Sequence, residues 1–559
     1  MNNSVIRFIL GYVIGFLGLF LMLPLFVALI YRESVWMSYA LVALPCLIIG
    51  IINSYLKPRK FSFYLKEGFF CTGVSWVVLS AIGALPLWIS GEIPSFIDAL
   101  FESVSGFTTT GASILDNVEL LSHASLFWRS FTHLLGGMGV LVFLLTVIPL
   151  AGGDGSQFNL MKAESPGPSV GKLVPKLKNT AQMLYIIYLG LTAIEIILLL
   201  ISGMTPFEAI NTGIATAGTG GFGIYADSLA SFNAGSQWIV AIFMFLFGIN
   251  FNFYYYILFR HAREAFRMEE VKMYSLLTLG AIGIITINIF SISNGFFDAL
   301  TKAAFQVTSI QSSTGFSTTD FAQWPQASRC VLVVLMFIGA CAGSTGGGIK
   351  VSRFVLMGKA VHKELISYIH PRSVRKTIMD GKPVNHDTIR SNNVFFGTFI
   401  LVFFVSAFLL SFEDLNFSTV FTAVIATLSN IGPGMSLVGP ASNFGFFSDF
   451  SKIILIIDML AGGQCSVNPS GFQNDLSIVK SKDDVLTVLI HLGYLSYDRK
   501  EGRCFIPNRE VAQEMLLAVE DSNWKYIVDA VERSRALLAA TLAGDEEAVS
   551  RGVEAAHDE

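Results

Sequence analysis

Four times along this chain a short apolar segment, followed by a break into Gly, Thr, Ser or Asn, stands between two apolar runs long enough to cross a bilayer. The four read "DALFESVSGFTTTGAS" from Asp98, "FEAINTGIATAGTGGFG" from Phe207, "AAFQVTSIQSSTGFS" from Ala303 and "STVFTAVIATLSNIGPG" from Ser418. About three helical turns do not span a hydrocarbon core of about 30 Å, so each segment is expected to enter the membrane and turn back. Non-helical backbone at that depth must have its N–H and C=O groups satisfied, and it survives only where it is buried in protein or lines water. Four such loops around one axis meet that requirement together. The pattern therefore points to an internal fourfold repeat around a pore.

The rest of the chain agrees with a membrane setting. Of its 559 residues 53% are hydrophobic and 14% charged, against about a quarter charged in an average soluble domain. Spans of roughly 20 apolar residues are read near 5–31, 36–56, 68–90, 124–150, 181–203, 234–259, 271–292, 326–342 continuing to about 365, 392–412, and 446–462. The first is expected to be a retained helix, because its apolar core is long, an A-x-A site is missing and a second span follows at once. The expected fold is an all-α polytopic membrane protein. Two N-terminal helices (1–67) precede four pore repeats at 68–150, 181–259, 271–365 and 392–462, the third with a broken second helix. A small α+β soluble segment (463–559) follows.

Lys and Arg set the orientation. They cluster in the loops 57–66, 151–180, 260–272 and 350–390 and are absent from 112–123, 224–237, 316–328 and 433–451. The basic loops are expected in the cytoplasm and the four Gly/Thr loops on the outer side. A net charge of -4 argues against a nucleic-acid partner. The six cysteines lack paired spacing, which gives neither a disulfide framework nor a zinc site; they read as isolated buried thiols.

Gly111, Gly221, Gly315 and Gly432 hold equivalent places in the four segments. Glycine there allows backbone carbonyls to be aimed at one axis, where they replace the hydration shell of a cation. Threonine hydroxyls are expected to add oxygen ligands, a hard set suited to alkali cations. Asp98, Glu208 and Thr419 precede their glycines by one shared interval, and an acid or Thr there is expected to cap each short helix.

The runs "FESVSGFTTTGAS", "HLLGGMGV", "ATAGTGGFG", "FQVTSIQSSTGFSTTDF", "AGSTGGGIKVSRF" and "ATLSNIGPG" resemble the potassium-uptake subunits of the Trk/Ktr/HKT superfamily, specifically the TrkH type, over about residues 1–462. The resemblance implies a K+-translocating subunit of the bacterial cytoplasmic membrane, with four non-identical M1–P–M2 repeats and two extra N-terminal helices. It places the filter at Thr109, Thr110 and Gly111; Thr219, Gly220 and Gly221; Ser313, Thr314 and Gly315; and Asn430, Ile431 and Gly432. It makes the Gly-rich break in the eighth span an intramembrane gating loop, with Gly343, Ser344, Thr345, Gly346, Gly347, Gly348 and Lys350. K+ is the substrate and no cofactor is implied. The resemblance also implies a homodimer that docks a cytoplasmic nucleotide- and NAD-binding ring of the TrkA type. Lys350 has two readings: a cation at the pore exit that biases the closed state, or a snorkelling anchor.

Other motifs carry less. "GSTGGGIKV" lacks the Gly-Lys-Ser/Thr ending of a phosphate-binding loop, and "GTGGFG" follows a pore-helix pattern rather than a strand. Intramembrane His133 and Glu195 are expected to be packed and paired inside the bundle. The family's final "DMLxGRLE" is replaced by "DMLAGGQ", with Gly463 where the Arg is expected. Closure of the pore by the fourth repeat is therefore left open. Residues 463–559 resemble an internal piece of AAA-ATPase-like proteins associated with the PD-(D/E)XK nuclease superfamily. Neither a Walker A motif nor an E-x-K set is present, so no catalysis is inferred. A fused fragment and a regulatory tail both remain open for that segment. For the whole chain the alternatives to a K+ channel-like subunit are an H+- or Na+-coupled symporter and a membrane-tethered enzyme acting through the tail.

Overall fold

A computed structural model describes residues 3–56, 65–137, 139, 177–259, 262–370, 376–464, 496–498 and 503–505. The chain divides into two compact units, Met1–Ser470 and Gly471–Glu559.

The first unit is helical. Helices α1 (Asn3–Tyr31) and α2 (Trp36–Tyr55) form an antiparallel pair. Gly15 and Gly50 face each other so closely that a Cβ on Gly15 would lie 2.7 Å from the Gly50 Cα. Asn53 donates to the Phe8 carbonyl at 2.7 Å. Small residues that let backbones touch are what holds helices together in lipid, where apolar side chains gain little by leaving one apolar medium for another.

Four quarters follow. The first is α3 (Leu65–Ile89), α4 (Phe96–Phe107) and α5 (His123–Gly137). The second is α6 (Leu177–Ile201), α7 (Pro206–Ala217) and α8 (Ala234–Phe247), continued by α9 (Phe251–Leu258). The third is α10 (Glu269–Ile289), α11 (Phe296–Gln311) and α12 (Gln326–Phe337), continued by α13 (Val351–Ile369). The fourth is α14 (His386–Leu410), α15 (Phe417–Leu428) and α16 (Asp449–Gln464). The short helices α4, α7 and α15 have 12 residues each, and α11 has 16, one turn more than the sequence suggests. Their walls are packed inside protein: Phe101, Val104 and Phe107 of α4 and Val424, Ile425 and Leu428 of α15 are buried.

Among the described residues six helices are long and apolar enough to cross a membrane. The run read as a span over 234–259 is bent: α8 and α9 meet at an angle of 91°. Gly248 ends α8, and Asn250 caps α9 by accepting from the Asn252 N–H at 2.9 Å. The part of the expected 124–150 span beyond residue 139 lies outside the described residues.

In the second unit the described residues are Ser496–Asp498 and Arg503–Phe505, which pair antiparallel. The two strands read from "GYLSYD" and "GRCFIP" fall there, and the helices expected around them lie outside the described residues.

Candidate ion filter and gate

Each short helix leaves the membrane interior through the same backbone device. In the first quarter the Thr110 N–H bonds the Ser105 carbonyl and the Thr109 N–H bonds that of Gly106; the second repeats this with Gly220 to Ala215 and Thr219 to Thr216. Thr314 to Ser309 with Ser313 to Ile310, and Ile431 to Ala426 with Asn430 to Thr427, complete the set. This paired closure of a helix end requires a left-handed residue, most often glycine. Here Thr109, Thr219, Ser313 and Asn430 supply it, with φ of 55°, 53°, 60° and 52°. For β-branched threonine that conformation is strained, by about 1–2 kcal/mol. Strain repeated at four equivalent positions marks a site whose backbone is held for a purpose.

Two residues on, φ is positive again, at 78°, 72°, 87° and 94° for Gly111, Gly221, Gly315 and Gly432. Changing the sign of φ on alternate residues undoes the side-to-side alternation of carbonyls in a simple strand. The glycines also show how the loops meet. A Cβ on Gly111 would collide with the Gly220 carbonyl oxygen, one on Gly221 with that of Thr314, and one on Gly315 with that of Ile431; one on Gly432 would lie 2.7 Å from the Thr110 oxygen. Each quarter thus abuts the middle carbonyl of the next, and the fourth returns to the first. Above the ring a cavity of about 140 Å³ is lined by all four glycines.

The triplet hydroxyls are themselves hydrogen-bonded. Thr110 is bonded to Thr108 at 2.8 Å and Thr314 to Ser312 at 2.7 Å, while Thr219 donates to the Gly218 carbonyl at 2.7 Å.

Below the ring lies the break between α12 and α13. Its ends are joined by a bridge between Ile338 and Ile349, with the Gly339 N–H on the Ile349 carbonyl at 3.0 Å and the Val351 N–H on that of Ala340 at 3.2 Å. Gly346 and Gly347 touch the undersides of two quarters: a Cβ on either would sit 2.6 Å from a carbonyl oxygen, of Ser312 or of Ser429. The Gly347 N–H donates to the Ser313 hydroxyl. Gly343 (φ 71°) and Gly348 (φ 69°) make the turns. The bend between α8 and α9 grips the outer part, with the Phe251 N–H on the Gly343 carbonyl at 2.9 Å and the Thr345 hydroxyl on that of Phe247 at 3.3 Å. Ser344 closes its own turn onto the Cys341 carbonyl at 2.7 Å.

With this geometry in view, comparisons with known proteins give one answer. The TrkH family of cation transport proteins matches residues 43–470. The chain belongs to that family. It is similar to the Trk system potassium uptake protein TrkH of Salmonella typhimurium, with 34% identity over 470 residues, 83% of this chain and 96% of that protein. The Trk system potassium uptake protein TrkG of Escherichia coli is 33% identical over 476 residues, with the same coverage. The crystal structure of the potassium transporter TrkH from Vibrio parahaemolyticus superposes with a TM-score of 0.74 at 30% identity, over 86% of this chain and 99% of that one.

Several expectations change against this TrkH fold. The caps of the short helices lie three residues earlier than foreseen: Ser95, Thr205 and Asn416 accept from the N–H groups of Asp98, Glu208 and Thr419 at 3.4, 3.4 and 2.8 Å. Only Glu208 joins the capping, by accepting the Thr205 N–H at 2.7 Å in a reciprocal box. Asp98 instead pairs with Lys452 of α16 at 2.6 Å. Lys350 is partly buried and its ammonium donates to the Gly346 carbonyl inside the loop. Cys330 is exposed, unlike buried Cys46, Cys71 and Cys341. Glu195 is fully buried, and His133 is buried and hydrogen-bonded.

The fourth quarter closes. Asn430 donates to the Thr110 hydroxyl at 2.7 Å and to the Met459 carbonyl of α16 at 3.2 Å. The Phe444 N–H bonds the Ser113 carbonyl at 2.8 Å, and Asn443 bonds Asp116 at 2.8 Å. A Cβ on Gly462 would lie against the Leu428 carbonyl and the Asn430 side chain, so α16 supports the fourth loop through its last turn.

Sequence reasoning missed Glu270. Its Oε1 accepts from the Ala342 N–H at 2.6 Å and the Ser352 N–H at 3.0 Å, one on each side of the Gly-rich segment. The signal was available as an acid buried at the start of a span, where a charge needs a partner. What it would staple was not, because Ala342 and Ser352 are brought to it only by the fold.

Proposed function

We propose that this chain carries K+ inward across a bacterial cytoplasmic membrane, through a filter made by the four loop triplets and past a gate made by residues 343–350. The observation that carries the reading is the closed ring of four backbone triplets, each with positive φ at its first and third residues and each abutting the next. Such a ring offers carbonyl oxygens at membrane depth to a cation that has shed water. The names of the most similar relatives, all potassium uptake proteins, support K+ as the substrate. Triplets present fewer sites than a longer filter, so selectivity is looser than in tetrameric K+ channels.

The gate reading rests on position: Gly346 and Gly347 lie directly against the third and fourth triplets. Lys350 acts there by holding the loop's own carbonyl. The chain is a transporter without a catalytic role or bound cofactor. Its basic loops and its tail face the cytoplasm, it works as a homodimer, and the 350–390 segment, rich in Lys and Arg, docks a TrkA-type ring. The test is growth of a K+-uptake-deficient bacterium at low external K+. Rescue supports the reading, and failure of a membrane-inserted chain to rescue overturns it.

A further inference from the structure

Behind the filter, between the first and second quarters, lies a charged cluster that neither the transport reading nor the sequence motifs use. Glu102 of α4 and Arg129 of α5 are 1% and 3% exposed. Arg129 Nε meets Glu102 Oε1 at 2.8 Å. A buried pair of this kind costs desolvation that is offset only if the remaining donors and acceptors are also satisfied. Here they are satisfied by filter loops. The Ser113 hydroxyl donates to the Glu102 carboxylate at 3.0 Å and the Ile114 N–H at 3.1 Å, both just past Gly111. On the other side Arg129 Nη1 donates to the Gly223 carbonyl at 3.3 Å, and the guanidinium lies over the Phe222 ring, 4.0 Å from its centre. Both partners follow Gly221 directly.

His133, one helical turn along α5, extends the cluster. Its Nδ1 lies 2.9 Å from the Gly106 carbonyl of α4, and its Nε2 accepts the Phe222 N–H at 3.2 Å. A carbonyl on one nitrogen and an N–H on the other fix the neutral ring with its proton on Nδ1. One face of α5 thus ties the first short helix and both loop exits together. The seam between the fourth and first quarters has charged contacts of its own, Lys452 on Asp98 at 2.6 Å and Asn443 on the Asp116 carboxylate at 2.8 Å, beside the hydrogen bonds from Asn430 and Phe444.

We propose that Glu102 and Arg129, with His133 beside them, are positioning residues for ion selection. They set the distance between the Gly111 and Gly221 carbonyl ladders, and so the fit of a dehydrated K+ relative to the smaller Na+. This inference rests on the filter assignment made above. Charge-assisted hydrogen bonds hold geometry more firmly than neutral ones, so Arg129 fixes the Gly223 exit more firmly than a neutral donor would.

The test uses purified full-length protein in lipid vesicles and reads the K+:Na+ permeability ratio, which does not change if fewer molecules fold. E102Q keeps the side-chain volume and removes the charge. R129K keeps the charge and removes the fork that reaches Gly223. Each is expected to lower the ratio about tenfold, the scale of one charge-assisted hydrogen bond. Gly315→Ala, in a quarter that touches neither residue, serves as the control. If Gly315→Ala changes the ratio while E102Q and R129K conduct with the wild-type ratio, the brace is overturned and the filter stands. If Gly315→Ala also leaves the ratio unchanged, the filter reading fails and the brace with it. Should E102Q yield no conducting protein, R129K alone decides: a wild-type ratio overturns the proposal and a lowered one supports it.

Discussion

At Gly315 the tolerance for a side chain is nil, because φ is 87° and the Ile431 carbonyl occupies the place a Cβ would take. Gly315→Ala is therefore expected to shift the third and fourth loops apart and to reduce K+ over Na+ discrimination; unchanged K+, Rb+ and Na+ fluxes would sink the assignment of that residue. Thr205 and Glu208 make a second residue-scale case. Burial pushes the Glu208 carboxyl up, but bonds from the Thr205 N–H and the Tyr225 hydroxyl outweigh it and hold the acid below its ordinary value. The folded state thus prefers the ionised form. Its contribution is present above the unfolded carboxyl range and is lost as pH falls through the folded value. Thermal stability measured on stepwise acidification should show this loss in wild type and a smaller one in Glu208→Gln. Thr205→Ala removes the cap and is expected to cost about 1 kcal/mol, read as a lower unfolding temperature. At this scale the sequence was informative about the four glycines, since equal spacing exposes them. The strained residues two places before each were hidden, because threonine, serine and asparagine carry no mark of left-handed backbone until the helix end is seen.

Among elements, the break between α12 and α13 was legible from glycine content alone, for each interior Gly costs a helix about 1 kcal/mol relative to Ala. Its attachments were not legible. Glu270 staples the N–H groups of Ala342 and Ser352, and Glu269 beside it pairs with Lys359 of α13 and donates its backbone N–H to the Asp380 carboxylate at 2.8 Å. Glu270→Ala would leave two buried donors unpaired, at about 1–3 kcal/mol each. The loop is then expected to leave its place under the third and fourth triplets more often, raising K+ flux while the K+:Na+ ratio stays constant. Removal of Gly346–Gly348 is expected to raise flux further. Wild-type flux in both variants would argue that the loop does not gate. The bend at Gly248 shows why the 234–259 run could mislead. Apolar composition is the same for a straight and a broken helix, and the break is held by partners in the Gly-rich segment nearly a hundred residues away.

The whole molecule turns on whether four unequal repeats close into one ring. The last helix lacks the family's usual continuation, yet α16 reaches Gln464 and contacts α15 and the first short helix, with Lys452 on Asp98 and Asn430 on Thr110. Since Met1–Ser470 forms a compact unit of its own, a chain without residues 471–559 is expected to rescue growth at low K+ as well as the full chain does. Loss of rescue with unchanged membrane insertion would assign the tail a required role.

The sequence by itself determined the membrane setting, the fourfold repeat, the equivalence of Gly111, Gly221, Gly315 and Gly432 and the place of the Gly-rich interruption. Each of these follows from local properties, namely apolar length, periodicity and the conformational range of glycine. Only the tertiary structure decided which atoms meet: the order of the quarters, the closing of the fourth on the first, and the use of Lys350, Glu270, Glu102 and Arg129 as holders of backbone. A buried charge says that a partner exists, and the partner's identity depends on residues that folding alone brings within about 3 Å.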